Sequence, residues 1–352
     1  MTLPMPVEKN SRIGFTIALI SMSQRVIQLA RKQAPLAVKD GLNPSRVRVP
    51  AEADGLNAKE FVHHLINSQR HRHPEDNEHA LHKRFDDQEV IAVRGHRARI
   101  LTTQDQVYQD EDVWFYRIPA PEPVIPYDIP ILFEDDHLLV VNKPPFYATM
   151  PRGKHITNSV TTQLRRLTEN GELSPAHRLD RLTSGVLVFT KTREVRGAYQ
   201  TLFAKREVHK TYQAIARFNN QLQAGSRWCS RLEKNAGEHQ TRILDGKPNA
   251  ITTVVSIAAV SASRQTELKK IFGAQPQLAS YILAPETGRT HQLRVHMYQA
   301  GTPILGDPVY PIVLPEEVED YRIPLCLCAV GLSFIDPISG VDRIFETESL
   351  FF

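Results

Sequence analysis

The sequence predicts an α+β protein with a largely antiparallel mixed sheet flanked by helices and a small N-terminal domain in front of it. Three observations carry this. Short runs with the two-residue alternation of strands are interleaved with runs of helical period, without the strand–helix–strand rhythm of a parallel sheet. Four prolines fall within nine residues at Ile118-Pro-Ala-Pro-Glu-Pro-Val-Ile-Pro126. Proline fixes φ and removes a backbone donor, so this stretch reads as an extended linker. The chain's 352 residues exceed one ordinary domain, and the part behind the linker is long enough to bury its own core. The expected organisation is an extension over residues 1–45, an accessory domain with the linker over 46–122, and a main domain over 123–352.

In the extension, Gly14–Met22 is an apolar run behind Lys9 and Arg12. It is brief, contains Thr16 and Ser21, lacks a small-x-small cleavage site and leads into Arg25–Lys32, which speaks against secretion. No window approaches the roughly 20 apolar residues of a membrane span. An amphipathic helix or an over-long start is expected there, and a cytoplasmic protein. Ala58–Ser68 reads as a helix. Six histidines follow (His63, His64, His71, His73, His79, His82), but Arg70, Arg72, Lys83 and Arg84 intervene, so a solvated, partly flexible surface is expected, with no metal site. Glu89–Val93, Arg97–Leu101 and Val113–Arg117 read as short strands.

Behind the linker, Ile131–Phe133 and Leu138–Val141 bracket a turn and form a hairpin. Asn158 can cap a helix with Val160, Leu164 and Leu167 at helical spacing, ended by Asn170-Gly171. Val186–Phe189 reads as a strand, and Glu194–Phe203 as a helix with Val195, Ala198, Tyr199, Leu202 and Phe203 on one face. Thr211–Phe218, Thr252–Ala258 and Ser280–Leu283 read as strands, and Leu293–Ala300 as a helix closed by Gly301.

Composition is that of a globular protein, 41% hydrophobic and 23% charged. The three cysteines, Cys229, Cys326 and Cys328, form neither a disulfide framework nor a zinc set. The net charge of +4 is mild, but it is unevenly spread: residues 161–210 hold ten Lys or Arg against five Asp or Glu. That segment contains the most informative string, Ala176-His-Arg-Leu-Asp-Arg-Leu-Thr-Ser-Gly-Val-Leu-Val-Phe-Thr-Lys191. One carboxylate, Asp180, stands among His177, Arg178 and Arg181 just ahead of a strand. Such a carboxylate can serve as nucleophile or base near neutral pH. The arginines can hold phosphates or stack on an unpaired base. In isolation, an Arg-x-Asp-Arg loop is more often a surface ion-pair cluster.

The whole string is far rarer than its pieces. His177-Arg-Leu-Asp-Arg-Leu-Thr-Ser-Gly185 resembles the defining motif of the RluA family of pseudouridine synthases. Three further segments resemble that family's in order: Asp136-His-Leu-Leu-Val-Val-Asn-Lys-Pro144, then Arg206-Glu-Val-His-Lys-Thr-Tyr212, then Glu286-Thr-Gly-Arg-Thr-His-Gln-Leu-Arg-Val-His296 with Pro303-Ile-Leu-Gly-Asp-Pro-Val-Tyr310. Val90–Arg117 resembles part of the small alpha-L-type RNA-binding domain that many members carry, whose helical half is not recognisable in the sequence.

The resemblance implies the pseudouridine synthase fold and an isomerase that detaches uracil from ribose, turns it and rejoins it through carbon. It implies structured RNA as partner, ribosomal large-subunit RNA first and transfer RNA second, acting as a monomer with no cofactor. The family's catalytic Asp falls on Asp180, leaving open whether it attacks sugar, adds to the base or removes a proton. Its active-site tyrosine falls on Tyr212, and the arginine pairing with the Asp falls on Arg289. A helical target must flip its uridine out. Arg178 then fills the vacated place, Leu293 packs beneath the flipped base, and Arg181, His177 and Lys210 contact RNA. His291, Arg294 and His296 have weaker claims, and Gly306-Asp307-Pro308 reads as a turn. Two other classes compete. An RNA-binding module that has lost catalysis would lack Asp180 or Tyr212, and both are present. A deaminase or hydrolase of free nucleosides would need a zinc Cys-x-x-Cys set or an acidic ribose-binding cluster, and neither occurs.

Overall fold

A computed structural model of the chain describes residues 26–28, 34–315, 317 and 319–349. The run Gly14–Met22 lies outside them. The chain divides into two compact units, with the boundary between Ala120 and Pro121.

The first unit contains β1 (Val26–Gln28), β2 (Ser45–Arg48), α1 (Ala58–Asn67), α2 (Glu78–Asp86), β3 (Ile91–Arg94), β4 (Arg97–Ile100) and β5 (Asp112–Phe115). The strands form an antiparallel sheet in the order β1-β4-β3-β5-β2. Asn57 starts α1 by accepting from the Lys59 and Glu60 amides, and Asn77 does the same for α2 with His79 and Ala80. Part of the histidine-rich stretch expected to be a flexible surface is thus helical. α2 buries Leu81 and Phe85 one turn apart, together with Arg84, which pairs with Asp76 at 2.6 Å. Phe61, Val62, Leu81, Phe85, Val113 and Phe115 share this unit's core.

The second unit contains β6 (Ile131–Glu134), β7 (Leu138–Lys143), α3 (Val160–Thr168), β8 (Ser174–Pro175), β9 (Ser184–Thr190), α4 (Arg193–Lys205), β10 (His209–Arg217), β11 (Arg227–Glu233) and β12 (Arg242–Leu244). It continues with β13 (Ala250–Ala259), α5 (Ala262–Phe272), β14 (Leu278–Pro285), α6 (Gln292–Gln299), β15 (Leu327–Ile335) and β16 (Asp342–Glu346). Eleven strands form one sheet in the order β12-β11-β13-β14-β10-β15-β9-β7-β6, with β16 beside β15 and β8 beside β9. All pairs are antiparallel except β9 with β15. The α+β architecture with a largely antiparallel mixed sheet is the one expected.

β7 and β9 are buried along their whole length. Their alternate residues feed two different cores. Leu139, Val141, Leu187 and Phe189 join α3 and α6 through Val160, Leu164, Leu293 and Met297. Leu138, Val140, Val186 and Val188 join α4 through Val195, Tyr199 and Leu202. A strand covered on both faces has no polar side to show, which explains the unbroken apolar runs. The N-cap of α3 is Ser159 rather than Asn158; its hydroxyl accepts from the Thr162 amide at 3.2 Å.

Candidate active site

The loop between β8 and β9 carries Asp180, and its backbone is held on both sides. The Leu179 amide donates to the Thr149 hydroxyl at 3.1 Å, and the same hydroxyl donates to the Leu179 carbonyl at 2.8 Å. The Thr183 amide closes a turn on the Asp180 carbonyl at 3.1 Å. Beneath it the fully buried Lys143, at the end of β7, donates to the carbonyls of Pro144 and Arg181 at 2.8 and 2.9 Å. Burial pushes the Lys143 ammonium well below the usual lysine range; the Arg181 charge acts in the same direction and Asp180 opposes it. Gly185 then lets β9 pass β15: its φ is +110°, and a Cβ there would stand 2.3 Å from the Ala329 carbonyl oxygen.

Asp180 opens into a cleft of about 970 Å³ that also receives Arg152, Arg178, Arg181, Lys234 and Arg294. That volume lies at the upper end of the range for small-molecule pockets. Two of these cations are tied to carboxylates. The Arg294 fork meets Asp307 at 2.8 and 2.6 Å, a pair almost wholly withdrawn from solvent. Burial works against the Arg294 charge, but the Asp307 hydrogen bonds and charge, with Asp180 behind them, outweigh it and raise the pKa. Arg181 is bound through both terminal nitrogens to Glu319. Among the described residues the Asp180 carboxylate itself takes no hydrogen bond and no ion pair, so its oxygens remain available to a ligand.

Tyr212 lies in β10, opposite Leu283 of β14 and Ala329 of β15, where the register slips by one residue. Its ring packs against the core that contains Leu293, Leu179 and Leu182. Burial, and after it the Asp180 carboxylate, pushes the phenol's pKa up, so the hydroxyl stays protonated. Leu293 is buried on the first turn of α6. Arg178 is exposed and lines the cleft.

Three expected contributors are placed elsewhere. Arg289, expected to pair with Asp180, is exposed, and its Nε donates to the Asn249 carbonyl at 3.3 Å. His291 adopts a left-handed φ of 57° at the start of α6, so the chain turns between Arg289 and the helix, and Arg294 is the arginine of this motif that reaches the cleft. His177 turns away from its neighbours into the other core. Its ring stacks on Phe203 at 4.4 Å, and Nε2 accepts from the Val188 amide at 3.2 Å. Burial, with the Lys210 charge adding to it, lowers its pKa to about 3, so the ring is neutral where a cation was expected. Lys210 sits 5.7 Å over the same Phe203 ring, on that side of the sheet, and burial lowers its pKa. Asp307 shapes the turn, accepting from the amides of Val309 and Tyr310, and also anchors Arg294. Sequence reasoning passed over Lys143, Arg152 and Lys234. Lys143 stood in a quoted motif and its signal was present; the other two lie in stretches with no distinctive pattern.

Comparison with known proteins adds a second line. A family model described as RNA pseudouridylate synthase matches residues 137–299. The dual-specificity RNA pseudouridine synthase RluA of Haemophilus influenzae is 32% identical over 65% of this chain and 96% of its own length. Ribosomal large subunit pseudouridine synthase D of Zymomonas mobilis is 32% identical over 67% of this chain and 75% of its own. Among solved structures, human RNA pseudouridylate synthase domain containing 1 aligns over 66% of this chain and 88% of its own, at 25% identity and a TM-score of 0.49. Similarity at this level across nearly all of one such enzyme shows that the chain belongs to the RluA-type family of RNA pseudouridine synthases.

Proposed function

We propose that this isomerase acts on a uridine flipped out of a structured RNA, with Asp180 as the indispensable carboxylate. The reaction breaks the N1–C1′ bond, forms a C5–C1′ bond and moves the C5 proton to N1, so no atom is gained or lost. The observation that carries the reading is the unpartnered Asp180 carboxylate in a cleft where the other acids, Glu238, Asp307, Glu319 and Asp320, are each bound to an arginine. A free carboxylate on a fixed backbone is pre-organised for a substrate and costs little rearrangement when one arrives. Arg294 supplies positive charge beside it, and the Tyr212 ring and Leu293, in the core that also holds Leu179 and Leu182 of the Asp180 loop, are the surfaces against which the base packs once it enters. The exposed Arg178 fills the gap that the flipped base leaves in its helix. Ribosomal large-subunit RNA is the first candidate substrate and transfer RNA the second. Support comes from the names of the two relatives, one dual-specific and one of the ribosomal large subunit.

Asp180→Asn and Asp180→Ala should fold, bind RNA and release no tritium from transcripts labelled at uracil C5. Turnover by either variant ends the reading of Asp180. Pseudouridine maps of total RNA from a deletion strain and its parent identify the substrate; a lost site in neither ribosomal nor transfer RNA overturns that choice.

A further inference from the structure

Lys234 stands directly after β11, and the chain takes unusual care to fix it. The Asn249 side chain imitates a strand partner: its Oδ1 accepts from the Leu232 amide at 2.8 Å and its Nδ2 donates to the Leu232 carbonyl at 2.9 Å. The end of β11 is thereby clamped two residues before the lysine. Beyond it, the segment 235–241 is tied down again. The Thr241 amide donates to the Tyr310 hydroxyl at 2.7 Å, and Gln240 donates to the Val309 carbonyl at 2.7 Å. The ammonium itself lies 3.4 Å from His291 Nε2, while His291 Nδ1 lies 3.1 Å from the Tyr310 hydroxyl. Burial, followed by the charges of Arg294 and Lys234, brings the His291 pKa to about 3. A neutral ring can accept from the lysine at one nitrogen and donate to Tyr310 from the other.

The result is a cation anchored by an uncharged partner. Arg294 and Arg181 spend their charge on Asp307 and Glu319. Among the described residues, Lys234, Arg152 and Arg178 are the cleft's cations with no carboxylate ion pair. The Lys234 ammonium keeps two donors for something that enters the cleft; burial, with the charges of Arg294, Arg152 and Arg178, lowers its pKa against the pull of Asp180, so an incoming anion relieves it. A nucleotide extruded from a helix brings such a group on each side, its phosphodiesters.

We propose that Lys234 is a further substrate-binding residue, whose ammonium, held by His291, grips a backbone phosphate next to the target uridine and shares that strand with Arg152 and Arg178. The inference rests on the RNA-isomerase reading and deepens it by assigning the phosphate contact to a particular side chain. Lysine suits this role as a point charge, whereas a forked guanidinium would select one orientation of the phosphate.

The test uses the full-length protein and a stem-loop bearing the uridine that the wild type modifies. Lys234→Ala should weaken binding about tenfold and lower the slope of log affinity against log salt by about 0.7, the value for one single-strand phosphate contact. Its single-turnover rate at saturating enzyme should stay within about threefold of wild type, because the lost contact is to the ground-state backbone as well as to the transition state. Lys234→Arg should restore the salt slope. Replacing the linkages beside the uridine by uncharged methylphosphonates, one at a time, should identify one linkage that matters to wild type and not to Lys234→Ala. An unchanged salt slope in Lys234→Ala overturns the inference. A shifted pH–rate profile at unchanged affinity also overturns it, since the lysine would then act on Asp180. Failure of the wild type to convert uridine in any RNA would instead strike the reading underneath.

Discussion

Two arginines five positions apart carry opposite consequences. Arg294 is withdrawn from solvent with Asp307, so Arg294→Ala leaves a buried carboxylate uncompensated, at a cost of about 3–5 kcal/mol. A large drop in urea midpoint together with loss of tritium release is expected. Arg294→Lys should fold better but recover little activity, because a single ammonium cannot hold both Asp307 oxygens and face Asp180. Arg289→Ala, by contrast, removes one exposed bond to a carbonyl and should leave the single-turnover rate within about threefold of wild type. Severe inactivation of Arg289→Ala with an intact fold would restore that residue to the site. Asp180 was legible in the sequence because its whole loop string is rare. The choice between the two arginines was not, since it depends on the left-handed turn at His291, and a non-glycine residue gives no sign of that conformation. His177 was misread for a related reason: a histidine beside arginines looks cationic until the Phe203 ring beneath it is known.

At the scale of the element, the passage of β9 beside β15 is the most sensitive point. Gly185→Ala would bring a methyl into the Ala329 carbonyl and force a left-handed backbone at a strand start. A loss of about 3 kcal/mol or more is expected, with activity falling alongside because Asp180 is five residues upstream. A variant with wild-type melting temperature and activity would mean that the two strands can separate at no cost. The strands that were legible, such as β7 and β10, begin or end in the quoted motifs. β15 was missed: its run Leu327–Ile335 is buried between β10 and β9 and contains Gly331, so it shows no alternation. α5 was missed because Leu268 is its one buried residue, too little to produce a helical period. α2 hid its two apolar positions among histidines and charges.

For the whole molecule, three histidines of the second unit are held neutral in the fold, His177 and His291 at about 3 and His296 at about 4, against 6.5 for a free side chain. The unfolded chain therefore binds more protons below neutrality than the native one. The stabilisation is fully present above about pH 6.5 and is lost as pH falls toward the native values, by up to about 1.4 kcal/mol per pH unit for each histidine. The urea midpoint should drop clearly between pH 7.5 and pH 5.5, and His177→Gln should reduce that pH dependence by about one proton. Equal midpoints at the two pH values would show that these rings are not held neutral. The cores of the two units share no residue, so a fragment starting at Pro121 should be soluble and retain turnover at saturating enzyme. It should not start later: the Glu122 carboxylate accepts from the amides of Ile156, Thr157 and Asn158 at 2.9, 2.6 and 3.0 Å and belongs with the second unit. An insoluble Pro121 fragment would show that the units need one another to fold.

Among the described residues, the single parallel pairing in the large sheet joins Ser184 and Gly185 to Cys328 and Ala329. These are the residues immediately behind the Asp180 loop, and their partner strand is made long after them. On a ribosome, the loop is synthesised and the antiparallel pairing of β9 with β7 can form while β15 has yet to emerge. Contacts between segments so far apart in sequence close late and slowly. The cleft should therefore be assembled near the end of folding, and a nascent chain carrying every residue of the Asp180 motif is expected to stay catalytically silent until β15 is in place.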